Sequence, residues 1–246
     1  MVDGTTAHIQ PILNRNYART APETKLPAGP NMIDPETVIQ FNKLEPITRP
    51  LLVCDVDEVI LHLVAPFEQL LDERGMELRK KLVKLNGNVF HKSDGREVNQ
   101  NDIWEVLNQL FKEQAKRQTV VEDAISVLAE LSNDIDIVLL TNLPHEYGDL
   151  RRTYLGEAGI PYPLITNSGV KGPAMRWLDK QNHLRTAFMD DTFHHLESVS
   201  EHTPQTFLVH FMADDEFRNK TKPLDPPVLS TGDWREAGDA VRSALS

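Results

Sequence analysis

The sequence predicts an α/β protein: a parallel β-sheet with helices on both faces, carrying one small inserted α+β module. Three observations predict it. Apolar runs of strand length recur along the chain, segments of helical period separate them, and polar or acidic residues follow strand after strand. Strands joined by helical crossovers pair in parallel and are covered on both faces. Open sheets of this kind take ligands just beyond the carboxyl ends of their strands.

The elements follow in order. Residues 1–47 read as an N-terminal arm, interrupted by Pro11, Pro22, Pro27, Pro30 and Pro35. Asp34 as N-cap and Pro35 at the first helical position start a short helix there. The first strand is Leu51-Leu52-Val53-Cys54-Asp55. Residues 64–118 then break the alternation. A short helix runs from Pro66 to Glu73. Two short strands, Lys81 to Leu85 and Asn88 to His91, flank Asn86-Gly87, the signature of a type I′ hairpin turn. Asp94-Gly95 marks a second turn. Ile103, Val106, Leu107, Leu110 and Phe111 recur at helical spacing, with Asp102 and Glu105 arranged as a capping box. Trp104, Leu107 and Phe111 read as the module's own core.

Strict alternation follows. A helix carrying Val121, Ala124, Ile125, Leu128 and Leu131 leads to the strand Ile135 to Leu140. A helix from Tyr147 to Ala158, a short strand at 162–166 and a helix from Lys171 to Gln181 come next. The strand Thr186 to Met189, a helix at 192–201 and the strand Thr206 to His210 complete the pattern. A last helix starts near Asp233, with Glu236 completing another capping box. The expected organisation is an arm (1–47), a core (48–63 and 119–246) and an inserted module (64–118).

Composition narrows the function. The chain has 246 residues, 40% of them hydrophobic and 26% charged, as in ordinary globular proteins. A net charge of −11 argues against a general binder of nucleic-acid backbones. Cys54 is the single cysteine, so neither an intrachain disulfide nor a multi-thiolate metal site can form. It lies inside the apolar run and reads as a buried structural thiol. No apolar run approaches the ~20 residues a transmembrane helix needs. The N-terminus lacks a basic start followed by an apolar core. The expectation is a cytoplasmic protein away from membranes.

The chemistry concentrates at Asp55-Val56-Asp57. Two carboxylates spaced i, i+2 stand at the end of a buried apolar run, where they are costly unless paired. A metal site, a helix cap and a surface loop are all open readings. A divalent cation, an incoming phosphate and a division of nucleophile and acid labour would account for both acids at once. Later strands end in Thr141-Asn142 and Asp190-Asp191, and Lys171 follows the short third strand. Singly, these read as an N-cap, a helix cap and a solvated lysine. His194-His195 suggests zinc, but adjacent helical residues do not share a face. His145, close after Thr141, is a candidate substrate contact. Arg151-Arg152 read as solvated helix residues, with the alternative that one reaches the mouth of the site to hold a second anionic group. Asp214-Asp215-Glu216 read as solvent-facing.

Together these segments resemble the four motifs of the haloacid dehalogenase-like hydrolase superfamily. Asp55-Val56-Asp57-Glu58-Val59 resembles the first, Thr141 the second, Lys171 the third and Asp190-Asp191 the fourth. The resemblance covers about 48–63 and 119–212, and the module at 64–118 sits where that superfamily inserts a cap. It implies a Rossmann-like core whose parallel sheet has the order 5-4-1-2-3. It implies that Asp55 is a nucleophile forming an aspartyl-phosphate, and that Asp57 is general acid and then base. Thr141, Asn142 and Lys171 would hold the phosphoryl group. Magnesium would be bound by Asp55, the backbone carbonyl of Asp57, Asp190 and Asp191. The implied activity is hydrolysis of a small phosphorylated metabolite. A phosphotransferase would use the same motifs. A non-catalytic binding protein on this fold would be expected to lose a motif residue, and none is lost. Two departures stand out: Glu58, where many relatives carry a small or apolar residue, and the missing glycine before Asp190.

Overall fold

The structure is a computed structural model that describes residues 32–80, 85–182, 184–221 and 228–246. Of the arm expected over 1–47, residues 1–31 lie outside the described residues. The first half comprises α1 (Pro35–Phe41), β1 (Leu51–Cys54), α2 (Val64–Glu73), β2 (Met76–Leu78), β3 (Val89–His91), α3 (Gln100–Lys112), α4 (Gln114–Arg117) and α5 (Ala124–Leu131). The second comprises β4 (Asp136–Thr141), a 3₁₀ turn (His145–Tyr147), α6 (Gly148–Glu157), β5 (Leu164–Thr166), α7 (Gly172–Asn182), β6 (Thr186–Asp190), α8 (Phe193–His202), β7 (Phe207–Phe211), α9 (Asp215–Arg218), β8 (Leu229–Thr231) and α10 (Trp234–Leu245).

Every residue of β1 is buried, because it lies mid-sheet and is covered on both faces. It pairs in parallel with β4 on one side and β6 on the other. The sheet runs β5-β4-β1-β6-β7-β8, all parallel. This is the implied 5-4-1-2-3 order with a sixth strand, β8, added beyond β7. At three residues β8 is too short to carry a periodic signal. Its partner β7 supplies the reason it is a strand.

The opposite edge is sealed by side chains. Thr37 Oγ1 donates to Thr166 O at 3.0 Å, and Gln40 Oε1 accepts from Thr166 N at 2.9 Å. An open edge invites pairing with other chains, and α1 occupies this one. Its start is as expected: Asp34 caps through Glu36 N at 2.7 Å, with Pro35 in the first turn.

Two apolar layers flank the sheet. One joins Leu52, Cys54 and Leu139 to Leu128, Leu131, Trp234 and Val241. The other joins Val53, Leu140 and Phe188 to Met175, Leu178, Leu196 and Phe41. Cys54 is fully buried there, as expected. A third cluster fills the insertion with Phe67, Leu70, Val106, Leu107, Leu110 and Phe111, and Trp104 packs against it. That cluster also takes in Leu143, Tyr147, Met212 and Phe217 from outside the insertion, so the module shares its core with the body of the protein.

Within the insertion the hairpin differs from expectation. The strand paired with β3 is β2, Met76–Leu78. Residues 81–84 of the expected strand lie outside the described residues. Gly87 has φ 78° but Asn86 does not share that region, so the type I′ turn does not form there. The turn at Asp94-Gly95 is present, with Phe90 bridging Glu97 across it. The helix cap also moves. Asn99 caps α3, its Oδ1 accepting from Asp102 N at 3.0 Å while its Nδ2 donates to Asp102 Oδ2 at 2.7 Å. In α5, Val127 faces the core and Ile125 is exposed. Asp233 caps α10 as expected, but Glu236 accepts from Thr231 Oγ1 instead of closing a box.

α10 crosses α5 at Gly238, where a Cβ would be driven into Val127 Cγ1. Gly238→Ala should lower stability by ~1–3 kcal/mol through overpacking. A urea titration checks it: adding Val127→Ala to Gly238→Ala should cost less than Val127→Ala costs alone, because the new methyl fills the space that truncation opens.

Candidate active site

Adjacent parallel strands deliver the acids. β1 ends at Cys54 opposite Met189 on β6, so Asp55 and Asp190 emerge side by side one residue later. Asp55 N donates to Met189 O at 2.9 Å, which carries the pairing to this point. Lys171 comes from the loop after β5 and is fully buried. Its Nζ lies 2.9 Å from Asp55 Oδ1 and 2.7 Å from Asp190 Oδ2. Gly172 permits this approach, since any side chain there would collide with the backbone carbonyl of Ser198 on α8.

Asp55, Asp190 and Asp191 each offer one oxygen within 4.8 Å of the others. Among the described residues they form the one cluster of three such groups. His194 and His195 are not part of it. His194 faces Glu197 at 3.9 Å, and His195 Nε2 lies 3.3 Å from Asn142 Nδ2. The donors are hard oxygens, and all three side chains are buried. One ammonium sits among three carboxylates, which leaves an excess of buried negative charge. A small divalent cation with oxygen ligands fits such a set.

The titration directions reflect that imbalance. Burial pushes Asp190 up to about 7 against the pull of Lys171. Burial, and then the neighbouring Asp190 carboxylate, raises Asp191 well above the usual range. Burial also raises Asp55, again opposed by Lys171. For Lys171, burial works downward, but Asp190 and Asp55 outweigh it and carry the ammonium up.

Further groups hold these acids in place. Asp55 Oδ1 accepts from Val56 N at 2.7 Å as well as from Lys171. Asp190 Oδ1 accepts from Thr192 N at 2.8 Å. Asp191 Oδ1 accepts from Thr192 Oγ1 at 3.1 Å, and its backbone oxygen accepts from His210 Nε2 at 3.1 Å. The other nitrogen of His210 accepts from Ser230 Oγ on β8 at 2.7 Å. Burial lowers His210 to about 4, which suits a neutral ring with one donor and one acceptor nitrogen.

The remaining expected residues divide. Thr141 ends β4, and its Oγ1 accepts from Leu143 N at 3.2 Å. The Asn142 amide serves the protein: Nδ2 donates to Gly169 O at 2.8 Å and Oδ1 accepts from Asn167 Nδ2 at 2.9 Å. Asp57 is buried but outside the three-carboxylate cluster. Its Oδ1 meets Arg151 Nη1 at 3.0 Å. Arg151 is therefore no solvated residue; it is completely buried, whereas Arg152 pairs with exposed Asp149. His145 bonds Thr166 Oγ1 at 2.5 Å and faces Asp34 at 3.5 Å, which ties it to the sealed sheet edge. Asp214 is not solvent-facing either. It caps α9 through Phe217 N at 2.9 Å and accepts from Lys80 Nζ at 2.7 Å. Asp215 pairs with Arg218, and Glu216 with Lys220.

Glu58, the departure in the first motif, has a clear structural task. Its Oε2 accepts from Leu63 N at 2.8 Å and Val64 N at 2.7 Å, supplying the cap that α2 otherwise lacks. Its backbone is left-handed, φ 63°, inside a turn where Ile60 N and Leu61 N both donate to Val56 O. Ala213 N donates to Glu58 O at 3.0 Å, and Trp234 Nε1 donates to Val59 O at 2.9 Å. Burial raises Glu58 to about 7 against those two amide donors. The chain segments leading into and out of the insertion run side by side, through His62 N to Thr119 O and Val121 N to Ile60 O, both 2.9 Å.

With this geometry in view, the chain can be set beside known proteins. No family model and no curated protein matches it. Solved structures do. A conserved haloacid dehalogenase-like protein of unknown function from Agrobacterium tumefaciens superposes with TM-score 0.58 at 12% identity, over 80% of this chain and 99% of that one. A phosphatase, so named by prediction, from Clostridium acetobutylicum gives 0.52 at 10% identity, over 80% and 99%. A HAD-family hydrolase from Deinococcus radiodurans R1 with bound phosphate and sodium gives 0.52 at 12%, over 81% and 97%. These likenesses establish the architecture: this chain has the haloacid dehalogenase-like fold, with a small antiparallel β pair in its insertion.

Glu58→Ala should lower stability by about 1–3 kcal/mol, because two buried amides at the start of α2 lose their acceptor. Glu58→Gln, which keeps an acceptor oxygen, should lose less. Urea midpoints of the two variants against wild type check the order; equal midpoints for Ala and Gln would remove the capping role.

Proposed function

We propose that this chain is a magnesium-dependent phosphomonoester hydrolase that works through an aspartyl-phosphate on Asp55 and takes a small phosphorylated metabolite. The observation that carries the reading is the buried meeting of Asp55, Lys171, Asp190 and Asp191 beyond the strand ends, with a second acid, Asp57, two residues on. The fold it shares with a hydrolase holding phosphate supports the reading.

Each residue then has a task. Asp55 Oδ1 is held by Val56 N and Lys171, so Oδ2 is the oxygen that attacks phosphorus. Lys171 offsets the repulsion between that carboxylate and a dianionic phosphate. Asp55, Asp190, Asp191 and the carbonyl of Asp57 would hold magnesium, which supplies positive charge against the phosphoryl oxygens. As the bond from phosphorus to the alcohol oxygen breaks, Asp57 gives that oxygen a proton. In the second half, Asp57 takes a proton from water, the water oxygen bonds to phosphorus, and Asp55 leaves as carboxylate. Thr141 and the backbone at Asn142 bind phosphoryl oxygens, since the Asn142 amide is already engaged. The inserted module, residues 64–118, acts as a cap over the site and carries part of the specificity.

Release of inorganic phosphate from p-nitrophenyl phosphate tests this. Wild type should turn over with magnesium and stop when the metal is chelated. Asp55→Asn should lose activity by at least about 10³-fold, since it removes the covalent route. Activity equal to wild type in that variant would end the nucleophile assignment. Asp57→Asn should lose ~10²–10⁴-fold on phenyl phosphate and much less on p-nitrophenyl phosphate, whose leaving group needs no proton. Appearance of phosphate on an added alcohol, in place of free phosphate, would mark a transferase.

A further inference from the structure

Arg151 is a long cationic side chain that the hydrolytic scheme does not use, and it is entirely enclosed. All three of its guanidinium nitrogens are engaged by protein: Nε by Gln114 Oε1, Nη1 by Asp57 Oδ1 at 3.0 Å, and Nη2 by Gln118 Oε1 at 3.0 Å. A substrate's second anionic group would find no exposed nitrogen here. What Arg151 can do, it does through Asp57.

The two glutamines fix the guanidinium in one pose. Gln114 turns its oxygen to Arg151 and its Nε2 to Phe111 O at 2.8 Å. Gln118 turns its oxygen to Arg151, and its Nε2 to Asp57 Oδ1 at 2.8 Å and His62 O at 3.0 Å. Flipping either amide would set an NH₂ group against a cation, so each orientation is determined by its neighbours. The Gln118 backbone is held as well, since Tyr154 Oη donates to its carbonyl at 2.5 Å.

Both donors to Asp57 land on the same oxygen, Oδ1. Among the described residues no hydrogen bond is made to Oδ2. A carboxylate that moves a proton needs one oxygen aimed at the reacting atom, and pinning the other oxygen aims it. Stability alone is weak ground for keeping such an arrangement. A buried ion pair is roughly neutral against an apolar pair of the same volume, and an isolated apolar side chain would fill the same space.

We propose that Arg151, with Gln114 and Gln118, is a positioning group that fixes Asp57 by Oδ1 and leaves Oδ2 to exchange the proton with the leaving alcohol. This rests on the hydrolase reading given above. The assembly also links the end of the insertion to the acid, since Gln114 starts α4 and Gln118 is the residue that follows it, while Arg151 lies on α6.

The test compares kcat/KM, which reports the steps through release of the alcohol, for p-nitrophenyl phosphate and phenyl phosphate. Arg151→Met should lose about 10²-fold on phenyl phosphate and tenfold or less on p-nitrophenyl phosphate, the pattern of an impaired general acid. Arg151→Lys should recover part of the phenyl phosphate loss, because an ammonium can still reach Asp57 Oδ1. Gln118→Leu, which removes no charge, should show the same split to a smaller degree, and it decides the matter where Arg151→Met does not fold by circular dichroism. Folded variants that lose the same factor on both esters would overturn the proposal, as would a loss due to KM alone. A wild type inert to both esters would overturn the hydrolase reading and this inference together; an active wild type whose ester ratio Arg151→Met leaves unchanged would overturn the inference only.

Discussion

One buried ammonium governs this molecule. Lys171 stands between Asp55 and Asp190 with no exposure to water, and Asp191 completes the cluster. Charges taken out of water are tolerated only when paired and hydrogen-bonded. Here the pairing is incomplete by design of the residue set: three carboxylates face one lysine. The surrounding polar groups, Val56 N, Thr192 N, Thr192 Oγ1 and the His210–Ser230 relay, orient the acids without cancelling their charge. A cluster left in that state has the hard oxygens and the excess negative charge that suit a small divalent cation.

The architecture explains how such a cluster is held. β1 lies between β4 and β6, so the residue after its end has a neighbour on each side. The turn that follows is buried and anchored from three directions. Glu58 caps α2, Ala213 N reaches Glu58 O from beyond β7, and Trp234 reaches Val59 O from α10. The same turn leads into the insertion, whose apolar cluster continues into Leu143, Tyr147, Met212 and Phe217. Lys80 adds ion pairs to Asp214 at 2.7 Å and Glu68 at 3.2 Å, joining the insertion to the segment after β7. The acids, the insertion and the distal helix therefore form one mechanically connected unit.

Much of this was legible from residue order. The α/β rhythm, the parallel sheet and the insertion follow from strand-length apolar runs and the segment that breaks their alternation, and of the polar groups at the strand ends the fold brings Asp55, Lys171, Asp190 and Asp191 together. What was not legible either had weak local signal or had a local signal that packing overrode. β8 is three residues long, and only the edge of β7 makes it a strand. Asn86-Gly87 carries a strong turn signature, yet β3 pairs with Met76–Leu78, because tertiary packing outweighs a two-residue preference. Arg151 follows Leu150 and precedes Arg152 on a polar helix, and nothing in that spacing separates the buried arginine from the exposed one.

The sequence by itself determined the class of fold and which polar side chains stand at the strand ends, since strand and helix periods and the residues that follow strands are local properties written along the chain. Tertiary structure decided the partners. That Lys171 bridges Asp55 and Asp190 and that Glu58 caps α2 depend on distances between segments far apart in the chain. So does the gripping of one oxygen of Asp57 by Arg151 and Gln118. Hydrogen bonds and buried ion pairs act over about 3 Å, and only the folded chain brings such groups within that range.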